Sequence, residues 1–139
     1  MSREPCMAGI EDGAHLHLKI DGRLIANRVI FCSSSASRRE GLLSLSELEP
    51  GEGILMAMPG ARRGKRGVVT SIHMIGMKFP ICVAWLDQAG RVVHSTAARP
   101  GGLYYSSPAP AWYVLEAHPS LERLLKEGVL VQWEEVSDE

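Results

Sequence analysis

The chain has 139 residues, 45% of them hydrophobic and 22% charged, with 15 Lys and Arg against 16 Asp and Glu for a formal net charge of -1. That composition suits one globular domain with one core, and it excludes collagen-like, coiled-coil and largely disordered architectures. No apolar run approaches the roughly 18 residues of a membrane-spanning helix, so no membrane partner is expected, and the balanced total argues against broad polyanion binding.

Residues 1–12 are polar, with Gly and Pro, and are predicted to form a loose N-terminal segment, leaving 13–136 as a single domain. His15-Leu16-His17-Leu18-Lys19-Ile20 alternates polar and apolar side chains, the period of a half-buried strand. Asp21-Gly22 is a hairpin turn signal, and Leu24 to Phe31 reads as the returning strand. Ser33 to Ser37 can cap a helix. Ser37-Arg38-Arg39-Glu40 has the spacing of a capping box, which predicts a short helix reaching Leu42 and Leu43. After a turn at Glu49 to Gly53, Ile54 to Met58 has the pattern of a short buried strand.

Pro59 to Gly67 reads as a loop, and Val68 to Ile72 as the start of another strand. Ile81 to Leu86 is almost wholly apolar, as suits a strand covered on both faces, and Asp87 to Gly90 turns it into an arm over Arg91 to Thr96. Arg99 to Pro110 is irregular, and Ala111 to Ala117 is again a strand. Pro119 suits a helix start, Leu121, Leu124 and Leu125 fall on one helical face, and Gly128 is a plausible stop before a last strand, Val129 to Trp133. The expected fold class is α+β: a strand-rich, mostly antiparallel sheet able to close in a barrel-like way, with two short helices.

The net charge conceals three blocks. Residues 1–60 sum to -2, residues 61–100 to +6 with Asp87 as their one acid, and residues 101–139 to -5. Pairing between blocks is the plainer outcome, and a basic face open to an anionic partner is the alternative. Cys6, Cys32 and Cys82 are odd in number and widely spaced, which argues for a reducing compartment rather than a disulfide framework. With no apolar signal stretch behind Met1, a cytoplasmic location is expected.

Several of these residues carry a resemblance. Gly41-Leu42-Leu43, Leu48 and Gly51-Glu52-Gly53 are followed by Ile72-His73 and by Gly76-Met77-Lys78-Phe79-Pro80-Ile81, then by Val83 and Leu86-Asp87. With Arg99-Pro100 and Ala111 to Glu116 ahead of a Leu-rich segment and Gly128, this order resembles the uncharacterised domain-of-unknown-function 192 family, from about Ser33 to about Leu130. The resemblance implies a compact, β-rich α+β domain common in prokaryotes. It implies no reaction, cofactor or substrate. Two departures stand out: Cys82 occupies a position where the family pattern usually has Asp, and the basic loop between Gly60 and Gly67 is longer than the family's usual connection.

Candidate site residues follow from residue chemistry. His73 can act as an acid/base or as an anion contact. Arg39, placed by the predicted helix near its N-terminal end, can join Arg38, Lys78 and Arg99 in clamping a carboxylate or phosphate. The plainer role for these arginines is pairing with Glu40, Glu116 or other carboxylates. Arg62, Arg63, Lys65 and Arg66 form a loop able to track phosphates, although no aromatic residues are interleaved for base stacking, so nucleic acid ranks behind other partners. His15 and His17 share a strand face but lack further metal ligands nearby in sequence, so no metal is assigned. Cys82 reads as a buried hydrophobe rather than a nucleophile, and Ser33 to Ser37 lacks a nucleophile elbow. The leading expectation is a non-catalytic domain for a small anionic ligand or a protein partner, with no cofactor. The runner-up is a hydrolase or isomerase acting on an anionic substrate through His73.

Overall fold

The opening hairpin forms where the alternation places it. β1 (His15–Ile20) and β2 (Arg23–Cys32) pair antiparallel in the computed structural model, which describes residues 10–58, 71–102 and 105–136. Asp21 and Gly22 both take left-handed backbone, φ 52° and 78°, the geometry that a two-residue turn needs to match strand twist. Leu16 and Leu18 are fully buried, while His15 and His17 share the opposite face of the strand.

From Cys32 the chain crosses over α1 (Ser35–Glu40) and returns as β3 (Glu52–Ala57), parallel to β2. A parallel return requires such a crossover. The capping box lies three residues earlier than the Ser37–Glu40 spacing suggested. Ser34 is the N-cap, and the Ser34 and Ser37 side chains serve each other's backbone N–H. The cause is Asp12, whose Oδ1 accepts from the Ser33 and Ser34 N–H groups at 2.7 and 3.2 Å and from Ser37 Oγ at 2.7 Å. Asp12, which the sequence puts in a loose end, thus ties that end to the helix start. The helix also stops sooner than Leu42, at Gly41, whose φ of 47° only glycine adopts readily.

The Ser37 and Ser33 hydrogen bonds pull the Asp12 carboxyl down to about 2. Its contribution is therefore complete above the ordinary carboxylate range and is lost only as pH falls towards about 2. Asp12→Ala is expected to cost about 1 kcal/mol, the usual worth of a helix cap. Hydrogen exchange would report faster exchange confined to residues 35–41, and unchanged protection there would refute the role.

The remaining strands are β4 (Ser71–Ile72), β5 (Ile81–Leu86), β6 (Val92–Ala98), β7 (Tyr105–Ser106), β8 (Tyr113–Ala117) and β9 (Gln132–Glu135). The main sheet runs β6-β5-β8-β3-β2-β1-β9, and β4 pairs with β7 separately. It is mixed, since β2–β3 is parallel while the other pairs are antiparallel. The barrel-like closure is not reached. Among the described residues, the Val129 carbonyl accepts from Val92 N–H at the start of β6 and Val131 N–H donates to the Gly90 carbonyl just before it, on either side of an Arg91–Leu130 bridge. The chain then leaves to pair with β1, so β6 and β9 remain the ends of an open ladder.

The second expected helix is a 3-10 turn, Pro119–Leu121. Bonds from Glu122 N–H to the Pro119 carbonyl and from Leu124 N–H to the Leu121 carbonyl have three-residue spacing, and the Leu125 N–H, also on the Leu121 carbonyl, adds one four-residue bond without extending into an α-helix. Leu121 and Leu125 are buried, but Leu124 is 45% exposed. The described residues thus contain one short α-helix on a strand-rich single domain, with none long and apolar enough to cross a membrane.

Alternation divides the interior in two. Leu55, Ala57, Cys82, Ala84, Leu86, Tyr113, Leu115 and Ala117 pack on one face with Leu16, Phe31 and Leu125. Ile54, Met56, Ile81, Val83, Trp85 and Val114 pack on the other, under Leu42, Met74 and Phe79. Position 116 falls on this second face, which α1 covers.

Candidate functional site

The parallel pair and its crossover build the site. Arg38 Nη1 donates to the Ser33 carbonyl and, at 3.5 Å, to the Ala57 carbonyl, fastening α1 over the outgoing ends of β2 and β3. Beyond these ends the side chains of Arg38, Arg39, Met56, Met58, Ile72, His73, Met77 and Glu116 enclose a cavity of about 360 Å³, with Gly41 to Leu43 forming one wall. A crevice past the carboxyl ends of parallel strands is a common place for ligands. A second hollow of about 440 Å³, more apolar, lies across the same turn and shares Glu40, Gly41 and Leu42 with the first.

Arg39 and His73, far apart in the chain, both line the first cavity. Arg39 reaches it from the last turn of α1, not from the N-terminal end that the sequence suggested. The helix carbonyl end favours the arginines themselves, so they supply the positive charge and the helix dipole adds nothing for an anion. His73 is exposed, and its Nδ1 accepts the Ile75 N–H at 3.3 Å. In the neutral ring that bond places the remaining proton on Nε2, making it a donor.

The other two expected clamp residues stand elsewhere. Lys78 is exposed and donates from Nζ to the Leu43 carbonyl at 3.3 Å, bracing the cavity wall without lining the cavity. Arg99 lines neither hollow; its backbone N–H donates to the Tyr105 hydroxyl. Arg62, Arg63, Lys65 and Arg66 lie outside the described residues.

The floor of the cavity holds a residue that the sequence reading treated only as an arginine's counter-ion. Glu116 is 9% exposed and its side chain has no hydrogen bond or ion pair among the described residues, with burial pushing its carboxyl up to about 7. Among the described residues the ion pairs Lys19–Glu134 and Arg28–Glu52, and the 3.9 Å His94–Glu127 contact, involve neither pocket arginine. Lys19–Glu134 and His94–Glu127 link the acidic end to the first and middle charge blocks. The signal for Glu116 was legible: a lone carboxylate inside the apolar run from Trp112 to Ala117.

Nucleophilic chemistry finds little support here. Cys32 and Cys82 are free and buried, and burial pushes both thiols up to about 11. Cys82 belongs to the core on the far face of the sheet. Among the described residues no three His, Cys, Asp or Glu side chains gather as a metal site.

Residues 16–133 match the family model described as DUF192, Uncharacterized ACR. A UPF0127 protein of Thermococcus kodakarensis is 30% identical over 114 residues, covering 81% of this chain and 68% of its own length. A UPF0127 protein of Thermococcus gammatolerans is 31% identical over 115 residues, covering 81% and 71%. A protein of unknown function from Novosphingobium aromaticivorans has a similar fold, with TM-score 0.71, 18% identity, and coverage of 96% of this chain and all of that one.

Proposed function

The chain belongs to the DUF192 family of uncharacterised proteins, and we propose that it is a binding domain for a small anionic molecule held between α1 and the His73–Met77 segment. One observation carries this reading. Arg38, Arg39 and His73 come from two distant stretches and line the same concave cavity. The Arg39 guanidinium has no ion-pair partner among the described residues, so it can offer a planar, bidentate surface to a carboxylate or phosphate. Arg38, with one nitrogen committed to backbone carbonyls, adds charge from a fixed position. The free thiols of Cys32 and Cys82 suit a cytoplasmic, reducing setting.

A second reading, a hydrolase or isomerase using His73, draws support from Glu116, a second group able to exchange a proton in the same cavity. A protein partner would need a feature beyond this pocket, and nucleic acid contact would rest on the 61–67 loop.

The test is an NMR titration of the purified chain with succinate, butyrate and inorganic phosphate, with the added compounds followed for chemical change. Saturable shifts near Arg39 and His73 are expected with at least one anion. Arg39→Ala should weaken binding about tenfold or more, the scale of losing one charged contact, and Arg99→Ala should leave it unchanged. No saturable binding, or equal binding by the wild type and Arg39→Ala, overturns the reading. Conversion of a compound moves the enzyme reading ahead.

A further inference from the structure

An anion on Arg39 and His73 leaves a third group of the same cavity unexplained. Glu116 lines the same cavity and is 9% exposed, and it has no partner among the described residues. Its Oε1 lies 3.9 Å from where a Cβ on Gly41 would stand, directly beneath the turn that closes one wall. Met56, Met77 and Val114 line the cavity as well and give it apolar sides. The charged and titratable groups around Glu116 are Arg38, Arg39 and Glu40 from α1, Cys32 from β2, and His73 from the facing segment. Cationic side chains and one buried acid therefore line the same open hollow.

A buried carboxyl without a partner is costly, and a ligand group that donates to it recovers that cost. Chloride or sulfate cannot do so, having no donor at neutral pH, and hydrogenphosphate, which can donate, is repelled once Glu116 ionises. A metal ion would find one carboxylate and no cluster of three ligands among the described residues. An ammonium group on the same small molecule satisfies Glu116 while its anionic end stays at the arginines. We propose that the pocket takes a compact organic zwitterion, its carboxylate toward Arg39 and His73 and its ammonium on Glu116, and that seating it drives the Glu116 proton into solvent. This identifies the ligand class for the anion pocket described above, and rests on that reading.

The balance is simple. Glu116 passes from carboxylic acid to carboxylate, one proton leaves to buffer, and the ligand keeps its own ammonium proton. Burial raises the Glu116 carboxyl to about 7, so part of the population holds its proton at neutral pH. Binding there should accordingly release a measurable fraction of a proton, at most one per ligand.

The experiment compares 4-aminobutyrate with butyrate and with butylamine, by NMR titration and by calorimetry in two buffers of different ionisation enthalpy. For the wild type, 4-aminobutyrate is expected to bind at least about tenfold tighter than butyrate, a modest share of the coupling seen for close charge pairs, and to release a proton. Glu116→Gln, an isosteric neutral change whose folding is checked by its circular dichroism, should reduce 4-aminobutyrate to the affinity of butyrate and abolish the release. Equal binding of both acids by the wild type overturns the zwitterion proposal and leaves the anion pocket standing. Binding by neither overturns both. Butylamine matching 4-aminobutyrate shows that the arginine end contributes nothing, and also overturns the proposal. An unchanged preference in Glu116→Gln removes Glu116 from it.

Discussion

Replacing Gly53 by alanine is expected to lower the unfolding free energy by about 3 kcal/mol, the upper part of the usual range for overpacking a core. Gly53 stands at the centre of the sheet, opposite Val29 of β2 and Ala117 of β8. A Cβ there would lie 2.5 Å from the Glu116 carbonyl oxygen and 3.3 Å from the Ala117 Cα. Both obstacles are backbone, so no rotamer change relieves the clash. β8 cannot retreat freely either, because Ala117 is also paired with Cys82 of β5. The strain must spread across three strands or break the β3–β8 ladder. Urea unfolding would show a lower midpoint at constant slope if the native state alone is affected. A change within about 0.5 kcal/mol, the range of an ordinary surface substitution, would mean that the strands separate easily. The same displacement moves Glu116, so the variant should also lose the zwitterion preference.

Local pattern decides some of this fold and distance decides the rest. The β1–β2 hairpin follows from six alternating residues and a turn pair that needs positive φ, and β5 follows from an unbroken apolar run. The capping box does not, because Ser34 prevails over Ser37 through Asp12, which is 25 residues from Ser37. The Leu121–Leu125 segment fits a helical stripe, yet it closes as a 3-10 turn with a single four-residue bond, and Leu124 faces outward while Leu121 and Leu125 stay buried. The parallel pairing of β2 and β3 leaves no trace in either strand, and it is this pairing that lays α1 across the sheet. Of the expected clamp residues Arg38, Arg39, Lys78 and Arg99, the two arginines of α1 line the cavity, and His73 joins them because α1 and the 72–77 segment cover the same face. Lys78 and Arg99 carry the same charge and miss it, since composition says nothing about which wall a side chain reaches. Glu116 escaped attention for the opposite reason. A carboxylate is ordinary in a chain with 16 acids, and only the strand's alternation and its apolar neighbours make this one exceptional.

That exception has a thermodynamic signature. Raising the pH from 4.5, the ordinary Glu value, to about 8 is expected to remove on the order of 3 kcal/mol from the stability of the wild type, and Glu116→Gln should abolish that loss. In the unfolded chain the carboxyl titrates near 4.5, and in the folded chain burial raises it to about 7. Between those values the native state holds the proton more tightly, so stability falls as pH rises. The favourable term is complete below 4.5 and is lost once pH passes about 7, where folding must bury a bare carboxylate. Other shifted groups fall outside this window. Asp12 acts near pH 2, and the Cys32 and Cys82 thiols near 11. Glu134, held down by its hydrogen bond to Lys19, acts below the ordinary carboxylate range. His73 and Glu40 share the cavity, so His73→Gln and Glu40→Gln are run beside Glu116→Gln as controls. The wild-type and Glu116→Gln curves should diverge steadily above pH 5, with the variant the more stable at pH 8. Parallel curves across that range would mean that water entering the cavity solvates Glu116 fully. A solvated carboxylate needs no ammonium to complete it, so that one measurement also decides whether the cavity floor can select a ligand.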